Sequence, residues 1–454
     1  MDRLRRPGFW LVVLGLAGCA ALCLIGPCRP DRPWAPGLLL GYSLAWLCYL
    51  AAALVITRAR GSSRRVLLWI IVVALGLRVV AFLHRVPMST DSVVYLCQGE
   101  LLAHGYNPYQ APPEVPWLEQ TAEMRQTATR EREGHSLYPP GTELLFGGLA
   151  WAGGGDRRAF LWAFVLFDVG NVLLLMTLLR RTGRDPAHAI WYAWCPLPVV
   201  ETASGGHVDA VGLFFLLLAL LLAARREGRA GMGGAVAYAA SLLLKGPAIY
   251  SFPFFVRRGG WRFAVAVALL CGLALVPFAT AGRDIFAGLA YYTSYWEKSR
   301  MNAGVFLLLD WLLHLVTPHH LGITRAVTTL LLLGVMVVLL RRHRPGMAWL
   351  IGTTFGVQVA QLVLGMPVLP WYALWCLPLL CWWPTPGLVL LTYEVFAQYY
   401  ARWIFPHAYP APLLLGWVPV CILLFQQWRT WRRREQAETP PAQSTEASNS
   451  VRTG

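Results

Sequence analysis

The sequence predicts an all-α fold, a polytopic transmembrane helical bundle, from three observations. Hydrophobic residues fill 57% of the 454 positions and charged residues only 14%, with 21 Trp, a balance that no soluble domain of this length covers with polar surface. Apolar runs recur from Phe9 to Phe425, and the one long polar interval lies between Asp91 and Gly141. The formal net charge of +16 comes from short arginine clusters between apolar runs, not from one basic face, which favours membrane topology over a nucleic-acid partner.

A spanning helix needs about 20 apolar residues, and placing the arginine clusters on the cytoplasmic side gives about 14 crossings with both termini cytoplasmic. The clusters begin at Arg3, Arg58, Arg180, Arg225, Arg257, Arg341 and Arg429. The expected spans are Phe9 to Ile25, Gly37 to Ile56, Val66 to His84, Ala159 to Leu179, Ala187 to Val200, Ala210 to Ala224 and Gly231 to Leu244. They continue with Ala248 to Val256, Phe263 to Thr280, Thr324 to Leu340, Met347 to Leu364, Trp371 to Trp383, Gly387 to Tyr399 and Pro412 to Phe425. Leu16-Ala17-Gly18-Cys19 resembles a lipoprotein cleavage box, but the apolar run continues past it to Ile25, so an uncleaved first helix is expected.

One membrane domain is therefore expected over residues 1–427, with a large outer loop at about 85–158 and a disordered cytoplasmic tail at 428–454 that is rich in Pro, Ser, Thr and Gln. The localisation expected is the inner membrane. The ten cysteines lie mostly in apolar runs and form no Cys-x-x-Cys pair, so they read as small hydrophobes and not as metal ligands or a disulfide framework. Lys245-Gly246-Pro247 interrupts a helical run, and broken helices at membrane depth mark cavity-lining sites.

The outer loop gathers acids, among them Asp91 in Ser89-Thr90-Asp91-Ser92, just past a spanning helix. A carboxylate at that boundary suits a general base, because partial desolvation raises its proton affinity; a helix cap is the equal alternative. His207 and Asp209 lie in a Gly-rich outer turn and suit substrate contact, although capping and local bonding explain them too; no further ligands stand at metal-site spacing. Lys245, one of two lysines, should snorkel or meet an anion such as a phosphate, and Arg300 is a second phosphate candidate able to make bidentate contact. Arg78 and Asp168 fall inside spans and are expected to form a buried structural pair.

From Asp91 the chain runs through Tyr95, Gly105-Tyr106-Asn107-Pro108-Tyr109, Tyr138-Pro139-Pro140, Trp194-Cys195-Pro196, Glu201, Gly206-His207-Val208-Asp209, Lys245-Gly246-Pro247, Arg300-x-Asn302 and Pro370-Trp371-Tyr372-Ala373-Leu374-Trp375. In this order and at the outer ends of helices, the set resembles the GT-C glycosyltransferases, over roughly Val66 to Phe425. The likeness is greatest to bacterial polyprenol-phosphate-mannose-dependent mannosyltransferases, and more distant to the GPI mannosyltransferase catalytic subunit. One departure is that many relatives carry adjacent acids in the first loop, whereas Asp91 is flanked by Thr90 and Ser92.

The resemblance implies a GT-C bundle that moves a hexose, mannose first, with inversion at the outer face; glucose, galactose or the pentose arabinose would fit the same motifs. The donor would be a polyprenyl-phosphate sugar and the acceptor a lipid or glycan. No cofactor or metal is expected: the sequence has no Asp-x-Asp, Gly-x-Gly-x-x-Gly or P-loop for a soluble nucleotide sugar. Asp91 would be the catalytic base, Lys245 and Arg300 would bind the donor phosphate, and Tyr95, Asn107, Tyr138, Glu201, His207, Asp209, Asn302, Trp371 and Tyr372 would contact substrate. The rivals are a membrane transporter or lipid-linked sugar flippase, which should show repeats, and a non-catalytic envelope scaffold, in which Asp91 would be dispensable.

Overall fold

Every long element in the computed structural model is a helix, and no strand occurs among the described residues, which are 7–25, 36–59, 61–84, 89–110, 136–224, 231–292, 304–342, 346–404, 416–427 and 429. The chain opens with α1 (Pro7–Cys23), α2 (Pro36–Arg58) and α3 (Arg64–His84), and α1 packs against both of the others. Next come α4 (Asp91–Ala103), α5 (Pro140–Gly153) and α6 (Arg157–Arg181). After a broken segment follow α7 (Asp209–Ala223), α8 (Met232–Leu244), α9 (Phe252–Leu275), α10 (Gly304–His314), α11 (His320–Arg341), α12 (Met347–Leu364), α13 (Pro386–Ile404) and α14 (Gly416–Gln427).

Among the described residues six helical stretches are long and apolar enough to cross a membrane: Gly37–Arg58, Arg64–His84, Arg157–Arg181, Gly246–Tyr292, His320–Arg341 and Met347–Leu364. The expected count of about 14 counted several shorter runs as crossings. Two of those runs are not continuous helices. Across 187–200 the chain makes a 3-10 turn, two single-turn helices and the start of a π turn at Val200–Ser204, because Pro186, Pro196 and Pro198 supply no backbone donor. Across 371–383 it makes a 3-10 turn and one turn of helix at Leu379–Trp382, with Pro370 and Pro378 as the breakers. The helix-breaking signal at Lys245 is a real break: α8 ends at Leu244, Lys245 is extended, and a 3-10 turn at Gly246–Ser251 leads into α9. The gap expected between residues 256 and 263 is a kink at Gly260, where φ is 73°.

The segment at 85–158, expected to be an outer loop, is not a plain loop in its described residues. It contains α4 and α5, which pack on each other; at 1.5 Å per residue a 13-residue helix reaches only about 20 Å, too short to span. Their shared core is aromatic: Tyr95 stacks on Phe146 at 4.5 Å, and Phe160 and Phe164 of α6 close it from beneath. A larger core joins α1 to α3, α6 to α9, the broken segments and α12 to α14. Within it the Arg78 guanidinium meets Asp168 at 2.7 Å and donates to the carbonyls of Ala74 and Ala193, while the Tyr192 hydroxyl donates to the other Asp168 oxygen. The buried pair expected between the two charged span residues is present.

Candidate active site

Helix breaks concentrate the charged residues, because α4, α7 and α8 each begin or end at the same place. Asp91 is the first residue of α4, after Thr90, and its backbone N–H donates to the Ser89 hydroxyl at 3.0 Å. Asp209 opens α7, and Lys245 follows the last residue of α8. Glu201 belongs to the π turn, whose carbonyls are met from further along the chain: the N–H of Gly205 donates to the Val200 carbonyl and that of His207 to the Glu201 carbonyl. Between them Gly206 has φ of 73°, and a Cβ there would lie 2.5 Å from Leu161 Cδ2 and 3.1 Å from Ser92 Cβ. Only glycine lets this turn swing His207 against the start of α4.

His207 is fully buried and stands between two carboxylates. Its Nδ1 lies 3.5 Å from Asp91 Oδ2 and its Nε2 lies 3.3 Å from Glu201 Oε2. The ring lies flat on Trp371, centroids 3.7 Å apart and planes 15° apart. The Tyr399 hydroxyl donates to Glu201 Oε2 at 3.0 Å. Beside this row, Lys245 Nζ is 3.4 Å from Asp209 Oδ2 and 5.0 Å from the centre of the Tyr138 ring, while Trp375 Nε1 donates to Asp209 Oδ1 at 2.8 Å. Gly212 leaves room for this pair, since a Cβ there would press on the Trp375 ring and on Lys245 Cβ.

Of the acids in this group, Asp91 is the one open to solvent: its side chain is 29% exposed, against 2% for Glu201 and none for Asp209. Burial opposes its ionisation, but the His207 imidazole, the Lys245 cation and the Ser89 hydroxyl outweigh that and hold the carboxyl below its ordinary value. This corrects the expectation that desolvation would raise its proton affinity. Glu201 shows the opposite balance: burial dominates over the His207 and Tyr399 contacts, with Asp209 and Asp91 adding repulsion, and pushes it up to about 7. Among the described residues no three His, Cys, Asp or Glu side chains are arranged to hold a metal ion.

The structure therefore brings together Asp91, Tyr138, Glu201, His207, Asp209, Lys245 and Trp371. Tyr372 is tied to Tyr292 through their hydroxyls at 2.5 Å. Tyr95 forms the layer behind, edge-on to Tyr138 with centroids 5.2 Å apart. Asn107 is engaged elsewhere. Its amide donates to the Phe278 carbonyl and the Thr280 hydroxyl and its oxygen accepts from the Tyr109 N–H, so the side chain staples a turn to the segment after α9. Arg300 and Asn302 lie outside the described residues. Trp375, Tyr292 and Tyr399 were not among the expected site residues. Trp375 stands four positions after Trp371, and Tyr292 belongs to the aromatic run Tyr291-Tyr292-Thr293-Ser294-Tyr295-Trp296; Tyr399, read as the end of a span, carries no such signal.

Residues 34–258 match the family model described as alpha-(1->6)-mannopyranosyltransferase, N-terminal domain. Over these residues the chain is similar to that family. Alpha-(1->6)-mannopyranosyltransferase A of Corynebacterium glutamicum is 26% identical over 197 residues, which is 41% of this chain and 38% of that protein. The chain thus aligns with well under half the length of that relative. No solved structure matches. The matched residues include Asp91, Glu201, His207, Asp209 and Lys245, while Trp371, Tyr372, Trp375 and Tyr399 lie beyond them.

Proposed function

We propose that the chain is a membrane mannosyltransferase that takes mannose from a polyprenyl-phosphate donor and passes it, with inversion, to a hydroxyl of a lipid or glycan acceptor at the outer face of the inner membrane. The observation that carries this reading is one partly exposed carboxylate, Asp91, in the electrostatic field of a half-buried lysine at the meeting point of three helix ends. The family match and the membrane-length helices support it.

In this mechanism the Asp91 carboxylate accepts the proton of the acceptor hydroxyl as the oxygen attacks the anomeric carbon and the phosphate oxygen leaves. Its low proton affinity keeps it ionised throughout the neutral range, and such a base takes the proton late, when the attacking oxygen has already begun to bond to carbon. Lys245 offers the leaving phosphate a positive charge on a side chain that is only 12% exposed, where a fixed charge acts more strongly than in water. Tyr138 lies under Lys245 and Trp371 backs His207, so the two rings hold these groups in place.

The test is transfer of radiolabelled mannose from polyprenyl-phosphate-mannose in membranes carrying the native chain or Asp91→Asn. The expected result is transfer by the native chain and a loss of about 10²-fold to 10⁴-fold in the variant at equal protein level. Full activity in Asp91→Asn removes it as the base, and no transfer by the native chain overturns the mannosyl donor.

A further inference from the structure

The two acids on either side of His207 differ in a way that the transfer step itself does not use. Asp91 is open to solvent; Glu201 is sealed beneath the imidazole and Trp371. Neither ring nitrogen of His207 has a hydrogen-bond partner at its present distances, although the residue is wholly buried, and each points to one carboxylate. Glu201 Oε1 is also without a partner, while its Oε2 accepts from Tyr399. A histidine kept only for packing would leave two buried polar atoms unsatisfied, an arrangement that opposes folding. The donor and acceptor spacings of 3.3 and 3.5 Å are a few tenths of an ångström beyond hydrogen-bond length, and such bonds commonly tighten when substrate binds.

We infer that Asp91, His207 and Glu201 form a proton relay, in which Glu201 is a positioning residue that stores the proton taken from the acceptor hydroxyl. The proposal rests on the transferase reading of the same site.

One proton moves and one bond to the anomeric carbon replaces another. The acceptor O–H breaks, its oxygen bonds to the anomeric carbon, and the bond from that carbon to the phosphate oxygen breaks. The proton goes to Asp91 Oδ2 and then to His207 Nδ1, while the proton on Nε2 passes to Glu201 Oε2. Asp91 is again an anion beside the positive charge that develops on the sugar, and the imidazole has exchanged one neutral tautomer for the other. After the products leave, the proton returns by the same path to water through the exposed edge of Asp91. The charged and titratable groups facing the relay are Lys245 and Asp209 from the ends of α8 and α7, and Tyr399 from α13. Glu201, pushed up to about 7 by burial, is a fitting store, since it takes a proton readily and gives it back near neutrality.

The test pairs kinetics with infrared titration of the purified full chain in detergent. Glu201→Gln keeps the shape and an oxygen for Tyr399. Its expected effects are a fall of about 100-fold in turnover with both KM values unchanged, and loss of the rise in rate near pH 7. A merely structural Glu201 would leave the pH profile intact, and that result overturns the relay even where Asp91→Asn is inactive. In the infrared measurement, the part of the carboxylic-acid absorption titrating near pH 7 that is lost in Glu201→Gln should change its midpoint in Asp91→Asn and in His207→Gln. An unmoved midpoint in both of the latter variants shows that the acids are not linked through His207 and overturns the relay. This second readout needs no substrate, so it stands apart from failure of the mannosyl-donor reading.

Discussion

Lys245 illustrates how one side chain at a helix break serves two acids. It neutralises Asp209 at 3.4 Å and lowers the proton affinity of Asp91. Removing the lysine alone would leave Asp209 as a buried unpaired charge, so its contribution to donor binding is best read in Lys245→Met combined with Asp209→Asn. That pair should raise the KM for polyprenyl-phosphate-mannose about tenfold, equivalent to about 1.4 kcal/mol, without changing the KM for acceptor. Steady-state kinetics in proteoliposomes measure it, and an unchanged donor KM removes Lys245 from the phosphate site. The pH dependence is also decided at single residues. Glu201 must be ionised to receive a proton, and its pKa is raised to about 7, so the rate should climb as pH rises through 7. The Asp91 ionisation lies below its ordinary value and should impose no second limb in the neutral range.

At the scale of elements, the turn from Val200 to Val208 does the placing. The π turn widens the backbone by one residue, the Gly206 reversal follows, and His207 is delivered between α4 and the π turn. Gly206→Ala should cost about 1–2 kcal/mol for the left-handed backbone and about 1–3 kcal/mol more for pressing on Leu161 and Ser92. The expected outcome is a lower melting temperature in detergent, together with a loss of transfer larger than the loss of folded protein. Activity and stability falling in step would assign Gly206 to stability alone. Apolar run length made α1, α2, α3, α6, α11 and α12 legible, because each is a long uninterrupted run. It could not reveal α4 as a helix lying on the bundle, since α4 is short, carries Asp91, Ser92, Gln98 and Glu100 among its 13 residues, and owes its place to the aromatic packing of Tyr95 and Phe146.

Across the whole molecule, the Arg78–Asp168 pair joins α3 to α6 and, through the Ala193 carbonyl, to the broken segment that leads to Glu201. Both side chains are fully buried, so Asp168→Ala strands a guanidinium and should cost about 3–5 kcal/mol. Thermal unfolding monitored by tryptophan fluorescence should show it, with the Asp168→Ala, Arg78→Met double variant recovering part of the loss. No recovery would mean that the pair's hydrogen bonds to Ala74, Ala193 and Tyr192 matter more than its charge balance.

The sequence by itself determined that this chain is helical and built for a membrane, where its long helices run, where Lys245 breaks one of them, and that Arg78 and Asp168 must find each other. Those features follow from apolar length and from the cost of a buried charge, which are local or nearly so. It also singled out Asp91, Glu201, His207, Asp209 and Lys245 by type and position at helix ends. Only the tertiary structure decided that these five meet, that His207 bridges two acids, and that Asn107 staples a turn. Only the fold, likewise, reversed the expected shift of Asp91, brought Trp375 to Asp209 and brought Tyr399 to Glu201 across 198 positions of chain. The reason is that a side chain's proton affinity and partners depend on what surrounds it in space, and residues distant in sequence supply those surroundings.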